Sequence, residues 1–442
     1  YDTRMIATLL AQTWFVSLVS SEGDGGGFDA WADAYGKRYA GPGERAMREA
    51  VWTANQALVT QHNAEVHTYR LGMNAYADMG NDEFTALFRG GYGGSPSPAA
   101  APSALLGTLI PTRLPGPPSL PASVNWWIEG ISTGVKNQGS CASCWSFAAV
   151  AAMESAYNRQ HLQSATPVDA ACNATCGPRL DPCCTFSEQE GVDCAKGGAD
   201  TCATGGEPYD AFSEIVHNHG GKINTEQQYP YSSGAGGSPG TCKADDAVAV
   251  SINITGYFNI TSAAQKLVAP FGNESNLQYA VAQQGVVAVG IDSSGPNFQL
   301  YASGVYSNPK CGQAQWQLDH AVSVIGFGAT ADGKEYYVVK NSWGSGWGNQ
   351  GYIYMSRNAD NQCGIATDAS IPVLAPLPPT PPTPPTPAPA PPTKCSVAES
   401  NKKRCCKRVK EPTKKVCDGK PECCWKVNSI SPELSCYLQN PF

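Results

Sequence analysis

Cys144 is the residue of this chain best placed for nucleophilic chemistry. It ends the polar stretch Asn137-Gln138-Gly139-Ser140-Cys141-Ala142-Ser143, and Phe147, Val150, Ala151 and Glu154 then recur at helical spacing with no Pro or Gly. The pattern predicts a helix beginning at Cys144, where unpaired backbone N–H groups and the macrodipole favour an anion. A thiol so placed ionises readily, and the thiolate is the attacking form. Such a nucleophile needs a base that becomes its cationic partner, a group that orients the base, and donors for an oxyanion. Of the six histidines, His62 and His67 lie early in the chain, and His161 sits late on the predicted helix. His217 and His219, two positions apart, read as surface residues. His320 stands apart, because it opens the apolar run Ala321-Val322. Two other readings of Cys141 and Cys144 remain. They could form disulfides only, or act as a thiol–disulfide oxidoreductase motif, which calls for a βαβ context that the flanking sequence lacks.

The elements that must position these residues divide the chain. At 442 residues it is too long for one ordinary domain. Charged residues make up 15% and the net charge is −7, which gives no case for nucleic-acid binding. Eighteen cysteines point to an oxidising compartment. Four sequons, at Asn173, Asn253, Asn259 and Asn273, would be glycosylated in that compartment. Residues 1–21 read as a secretory signal with Met5 as a candidate start, and nothing later reads as a transmembrane helix.

Phe28, Trp31 and Tyr35 predict a short helix that Gly41-Pro42-Gly43 breaks, and Met47, Val51, Ala54 and Leu58 form the apolar stripe of a longer one. Residues 89–121, rich in Gly, Ser, Ala and Pro, read as an exposed linker open to proteolytic cutting. Cys172, Cys176, Cys183 and Cys184 lie in a Pro-containing insert, where pairing among themselves is favoured over a zinc site. Four β-branched or aromatic runs read as strands: Val286–Ile291, Val322–Phe327, Tyr336–Val339 and Tyr352–Met355. Helices first and strands second predict a two-lobed α+β molecule with a cleft between the lobes. From Pro372 the chain becomes a polyproline spacer, followed by a tail with seven cysteines and eleven Lys/Arg against five Asp/Glu.

The string Gln138…Cys141-Ala142-Ser143-Cys144-Trp145 resembles the nucleophile segment of papain-like cysteine proteases, with Ala142 where that family usually has Gly. Leu318-Asp319-His320-Ala321 and Lys340-Asn341-Ser342-Trp343-Gly344 are similar to its histidine and asparagine segments. Glu44, Arg48, Trp52, Asn55, Val59 and Asn63, followed by Gly72-x-Asn74-x-Tyr76-x-Asp78, resemble the propeptide motifs of the cathepsin L-like branch. The tail has a weak likeness to granulin-type extensions. His320 follows Cys144 by 176 positions, more than the roughly 130–150 usual in the family. The insert and the loops near 234–240 and 256–276 are expected to absorb the excess.

The resemblance implies a papain-like fold, a helical lobe and a β-barrel-like lobe behind a helical propeptide, made as a zymogen that hydrolyses peptide bonds without a cofactor or metal. The expected division is propeptide 22–119, peptidase 120–373, linker 374–393 and tail 394–442. The implied roles are Cys144 as nucleophile, His320 as base, Asn341 as its orienting group and Gln138 as oxyanion donor. The helix end and His320 together should hold the Cys144 thiol well below its free value. Gly205, Gly206, Glu207, Pro208, Gly290, Leu318, Asp319, Trp343 and Asp368 would line the substrate cleft. Asp368 would form the floor and Glu207 the rim of the pocket for the residue before the scissile one. Implied disulfides are Cys141–Cys202, Cys194–Cys242 and Cys311–Cys363. The expected partners are protein substrates and the chain's own propeptide, in a monomer bound for the lysosome, vacuole or exterior. A catalytically dead scaffold, suggested only by Ala142, is the remaining alternative.

Overall fold

A computed structural model of the chain describes residues 27–88, 92, 120–176, 180–195, 202–261 and 269–376. The signal-like segment, most of the linker, the polyproline spacer beyond residue 376 and the cysteine-rich tail lie outside the described residues, and Pro372–Leu374, expected to open the spacer, instead end a strand. The chain divides into units of residues 1–377 and 378–442, and every described residue belongs to the first.

The N-terminal region begins with helices Phe28–Ala34 and Pro42–Ala64. Pro42 in the first turn of the second suits its fixed φ and missing N–H. Of the expected apolar stripe, Leu58 packs against the core while Met47 and Ala54 face outward. Trp52 and Val59 are buried. The packed face also carries Arg48, Asn55 and Asn63. Arg48 forms a two-pronged ion pair with Glu83 at 2.6 and 2.7 Å. Asn55 donates to the carbonyls of Ala77 and Met79, and Asn63 to that of Leu71. Those polar bonds to the chain that follows decide the face, because buried carbonyls must be paired.

That following chain supplies strand β1 (Tyr69–Leu71) and helix Asn81–Phe88. Next come β2 (Val124–Asn125), helix Cys144–Ser164, the insert hairpin β3 (Ala174–Cys176) with β4 (Leu180–Cys183), and helices Glu188–Cys194 and Pro208–His217. The small pair β5 (Lys222–Ile223) and β6 (Val250–Ser251) completes the helical lobe. The sheet lobe holds β7 (Ile254–Asn259), helix Glu274–Gln284, β8 (Val287–Ile291), β9 (Tyr301–Tyr306), β10 (His320–Ala329), β11 (Glu335–Lys340), β12 (Tyr352–Ser356) and β13 (Ala369–Leu374).

The large sheet runs β1-β9-β12-β11-β10-β8-β13-β7, with β2 added to β10. Its pairings are antiparallel except β12 with β9. The path does not return on itself, so the second lobe is an open sheet and not the barrel-like lobe expected. The 256–276 stretch, expected to be a loop, holds most of β7 and the start of the Glu274–Gln284 helix, capped by Asn273. The insert instead folds as a hairpin with Cys172–Cys184 and Cys176–Cys183 bonded. Disulfides also join Cys141–Cys202, Cys194–Cys242 and Cys311–Cys363. His219 is not a surface residue. Its side chain is 10% exposed and lies 2.9 Å from Asp246 and 3.3 Å from Glu214. Among the described residues no helix is long and apolar enough to cross a membrane.

The N-terminal region clasps the sheet lobe in two ways. β1 adds a strand to β9, with Tyr69 opposite Gly304. A Cβ at Gly304 would sit 2.8 Å from the Tyr69 Cα, and φ there is +84°, so only glycine permits this approach. Beside it, Tyr76, Phe84 and Phe88 surround Trp343, with the Phe84 ring edge-on at 4.9 Å. The Tyr76 hydroxyl donates to the Trp343 carbonyl at 2.7 Å. Phe84→Ala should weaken this clasp by about 3–5 kcal/mol, the usual cost of emptying a buried aromatic site. Hydrogen exchange of the Gly72 and Val305 amides, which donate across the seam to the Leu300 and Thr68 carbonyls at 2.9 and 2.8 Å, should then accelerate in the uncut protein at least about a hundredfold. Unchanged exchange would show that the aromatic cluster does not hold β1.

Candidate active site

Cys144 begins its helix, fully buried, and is the only free cysteine among the described residues. Ala142, before it, is buried and keeps a φ outside the left-handed region, so alanine carries no backbone strain there. Its N–H donates to Cys202 O, beside the Cys141–Cys202 disulfide.

Across the cleft, His320 opens β10, and the next N–H, from Ala321, donates to the Cys144 sulfur at 3.4 Å. His320 Nε2 lies 2.8 Å from Asn341 Oδ1. Trp343 stacks on the imidazole at 4.5 Å and is itself 1% exposed, so it screens that contact from water. Gln138 is pinned on several sides. Its N–H donates to Ser342 O at 2.8 Å, its Nε2 to Cys141 O at 2.9 Å, and the Ser342 hydroxyl to its Oε1 at 2.6 Å.

Beneath these residues lies a buried charge network. Glu154, on the Cys144 helix, accepts from Lys136 Nζ at 3.0 Å and from the Thr133 hydroxyl. Lys340, next to Asn341, donates to the same Thr133 hydroxyl at 3.0 Å. Burial lowers the Lys340 ammonium to about 8, and Glu154 opposes that fall. One threonine thus bridges the acid of the helical lobe and the base of the sheet lobe.

The candidate substrate residues gather around one side chain from the N-terminal region, Tyr92. A Cβ at Gly290 would lie 2.5 Å from the Tyr92 hydroxyl, so the ring fills the space that Gly290 leaves. Tyr92 belongs to a buried cluster with Cys144, Leu318, Ala321 and Tyr209. Burial and the nearby charges of Asp368 and Glu207 push its phenol pKa well up. Asp368 is buried, and its Oδ2 accepts from Gln315 at 3.1 Å. Glu207 is not on an exposed rim but buried as the N-cap of the Pro208–His217 helix, directly after Gly205 and Gly206. Asp319 gives one carboxylate oxygen to the Ser293 N–H and hydroxyl at 2.9 and 2.8 Å, so that oxygen serves the loop.

The family profile described as papain family cysteine protease matches residues 120–177 and 168–373, its two segments meeting at the insert. The profile for the cathepsin propeptide inhibitor domain matches residues 28–84. The chain is 36% identical to cathepsin L of Sarcophaga peregrina over 76% of this chain and 89% of that protein. With cathepsin S of Bos taurus it shares 36% identity over 78% and 91% of the two chains. The solved digestive procathepsin L 3 of Tenebrio molitor superposes with a TM-score of 0.59 at 32% identity, covering 78% of this chain and 97% of that one. The chain therefore belongs to the papain family of cysteine proteases. It is a cysteine endopeptidase made as a zymogen, with a cathepsin-type inhibitory propeptide in the same polypeptide.

The thiol departs from the expected low pKa. Burial pushes Cys144 up to about 11, and the N–H groups of Ala321, Trp145 and Cys144 offset only part of that. Burial disfavours the charged form, and here a covered cleft supplies it. In the uncut protein Cys144 should stay protonated, with alkylation by iodoacetamide slow at pH 6–8 and climbing only toward pH 11. Fast alkylation of the uncut chain at pH 6, measured by mass spectrometry, would contradict the buried neutral thiol.

Proposed function

We propose that Cys144 is the nucleophile, His320 its proton acceptor, Asn341 the group that orients His320, and Gln138 Nε2 with the Cys144 N–H the oxyanion donors. The observation that carries this reading is the 2.8 Å contact of His320 with Asn341 beneath Trp343, on the strand whose next N–H reaches the Cys144 sulfur. Removal of the N-terminal region, by cutting shortly before Val124, uncovers the cleft and returns the thiol to water. The helix end and a protonated His320 then stabilise the thiolate. The thiolate attacks the scissile carbonyl, whose oxygen becomes an anion held by the two donors. His320 protonates the departing amine and leaves an acyl-enzyme. Water, deprotonated by His320, releases the acid and regenerates the thiolate.

Tyr92 supports the proposed pocket for the residue before the scissile one, because it occupies the space beside Gly290, Leu318 and Asp368 as a substrate side chain would. In this reading the propeptide, expected to span 22–119, inhibits its own chain by filling the pocket. The disulfides support a secretory route ending in a lysosome, a vacuole or the exterior, with the enzyme a monomer that needs no cofactor. The sequons at Asn173, Asn253, Asn259 and Asn273 belong to the same proposal, and Asn253 is exposed.

Processed enzyme should show a bell-shaped pH profile, losing activity on the acid side as Cys144 is protonated and on the alkaline side as His320 loses its proton. Asn341→Ala should lower kcat by up to about a hundredfold, part of what general acid–base catalysis supplies, with KM and the melting temperature little changed. Full turnover in that variant would refute the orienting role. Asp368→Ala should cut kcat/KM for substrates with Arg before the scissile residue by about tenfold to a hundredfold, the worth of a charged hydrogen bond. Substrates with Leu there should be spared, and equal losses on both would remove Asp368 from the pocket floor.

A further inference from the structure

One phenol oxygen joins the two sides of the proposed oxyanion hole. Tyr231 follows Tyr229-Pro230 on a loop of the helical lobe. Its hydroxyl donates to the Gln138 carbonyl at 2.7 Å and lies 2.7 Å from the Ser143 hydroxyl. A phenol has one proton and a carbonyl has none to give. The Tyr231 proton therefore goes to Gln138, and Ser143 must donate to Tyr231. The other acceptor near Ser143, the Cys141 carbonyl, is at 3.5 Å, too long to compete. The residue that carries one oxyanion donor and the residue just before the other thus share a single oxygen.

The surroundings fix that oxygen. The Tyr231 ring stands edge-on to Phe147 at 4.8 Å, and its N–H donates to Glu226 at 3.0 Å. Burial raises its phenol pKa, so the donor keeps its proton at every working pH. Three residues further on, Gly234 O accepts from the Ser140 N–H at 3.0 Å and hydroxyl at 3.2 Å. Gly139 passes so close to that loop that a Cβ would meet the Gly234 Cα at 2.7 Å. The loop therefore holds the Gln138–Ser143 segment by hydrogen bonds at Gln138, Ser140 and Ser143 and by close approach at Gly139.

We propose that Tyr231 is a positioning residue that sets the Gln138 side chain and the Cys144 N–H at the separation an oxyanion requires. The proposal rests on the roles given above to Gln138 and Cys144. Oxyanion donors are effective only when held at about 2.7–3.1 Å from the developing charge, and here one hydroxyl ties Gln138 to the residue before Cys144, in addition to the bonds that hold the Gln138 side chain. Tyr231 touches neither substrate nor thiolate, so its removal should tell on the transition state and leave the nucleophile intact.

The test compares processed wild-type enzyme with processed Tyr231→Phe, which keeps the ring and loses only the oxygen. Expected is a fall in kcat of about tenfold, short of the ~10²–10³ for deleting a donor outright, with KM within about twofold. Affinity for a peptide aldehyde, whose hemithioacetal oxygen occupies the oxyanion hole, should fall in step. Alkylation of Cys144 by a peptide epoxide creates no such oxyanion and should keep its rate. An unchanged kcat, or aldehyde affinity and epoxide rate falling together, would overturn the proposal. If Tyr231→Phe does not fold, Ser143→Ala decides. It should show the same split at smaller size, and an unaltered aldehyde affinity would be fatal. Failure of the epoxide to label Cys144 in the wild type would instead reject the nucleophile assignment, which separates the two failures.

Discussion

The N-terminus of the Cys144–Ser164 helix is pressed against the first residues of β10, and the Ala321 N–H points at the Cys144 sulfur across that seam. A helix end and a strand end from different lobes must stay in register within a fraction of an ångström, because proton transfer and oxyanion binding tolerate little error. No single bond secures this. Apolar packing covers both sides of the seam, and beneath it Glu154 and Lys340 meet through Thr133. A buried acid and a buried base, each satisfied by the same hydroxyl, fix one relative placement of the lobes. A slip would take the Thr133 hydroxyl from the buried Lys340 ammonium while Glu154 keeps Lys136, and a buried charge stripped of its partner is costly.

The same seam explains how one covering segment controls two properties at once. The N-terminal region docks by main-chain pairing of β1 with β9 and by an aromatic cluster closed on Trp343. Trp343 also stacks on His320, so the clasp and the imidazole share a ring. Tyr92 lies among the residues next to Cys144 and takes water away from the sulfur. Steric occupation and loss of solvation thus act together, and the raised thiol pKa is the electrostatic side of a filled cleft.

Much of this was legible in the sequence where the signal was local. The helix start at Cys144 followed from a polar loop running into an unbroken periodic stretch. β8, β10, β11 and β12 followed from β-branched runs between turn residues. β1, β7, β9 and β13 were missed because they are short or carry Gly, Ser, Thr and Pro, so their pairing is decided by neighbours distant in the chain. The stripe on the Pro42–Ala64 helix misled in part, for a related reason. Its docking face is defined by Arg48, Asn55 and Asn63 finding partners, and apolar periodicity does not see hydrogen bonds. At the site, the local strings around Cys144, His320 and Asn341 could be read directly, and the structure brings those residues together. Tyr231 and Ser342 could not, since they reach Gln138 from 93 and 204 positions away. Nor could the raised thiol pKa, which comes from burial of Cys144 in the covered cleft.

β1 lies at one end of the sheet, and β9 is its sole neighbour in that sheet. When the segment that carries β1 is cut away, β9 becomes the border strand, and its Tyr301, Ser303 and Gly304 lose the partners opposite them. The mature enzyme therefore emerges with a row of main-chain groups turned to solvent. At Gly304 no side chain stands guard, since the position was kept bare for the Tyr69 backbone to approach. Natural sheets protect such borders with charge, proline or bulges, and the Tyr-Ala-Ser-Gly-Val-Tyr run of β9 has neither charge nor proline, only the register shift at Ala302. Maturation thus exchanges a sealed catalytic cleft for an unsealed sheet margin.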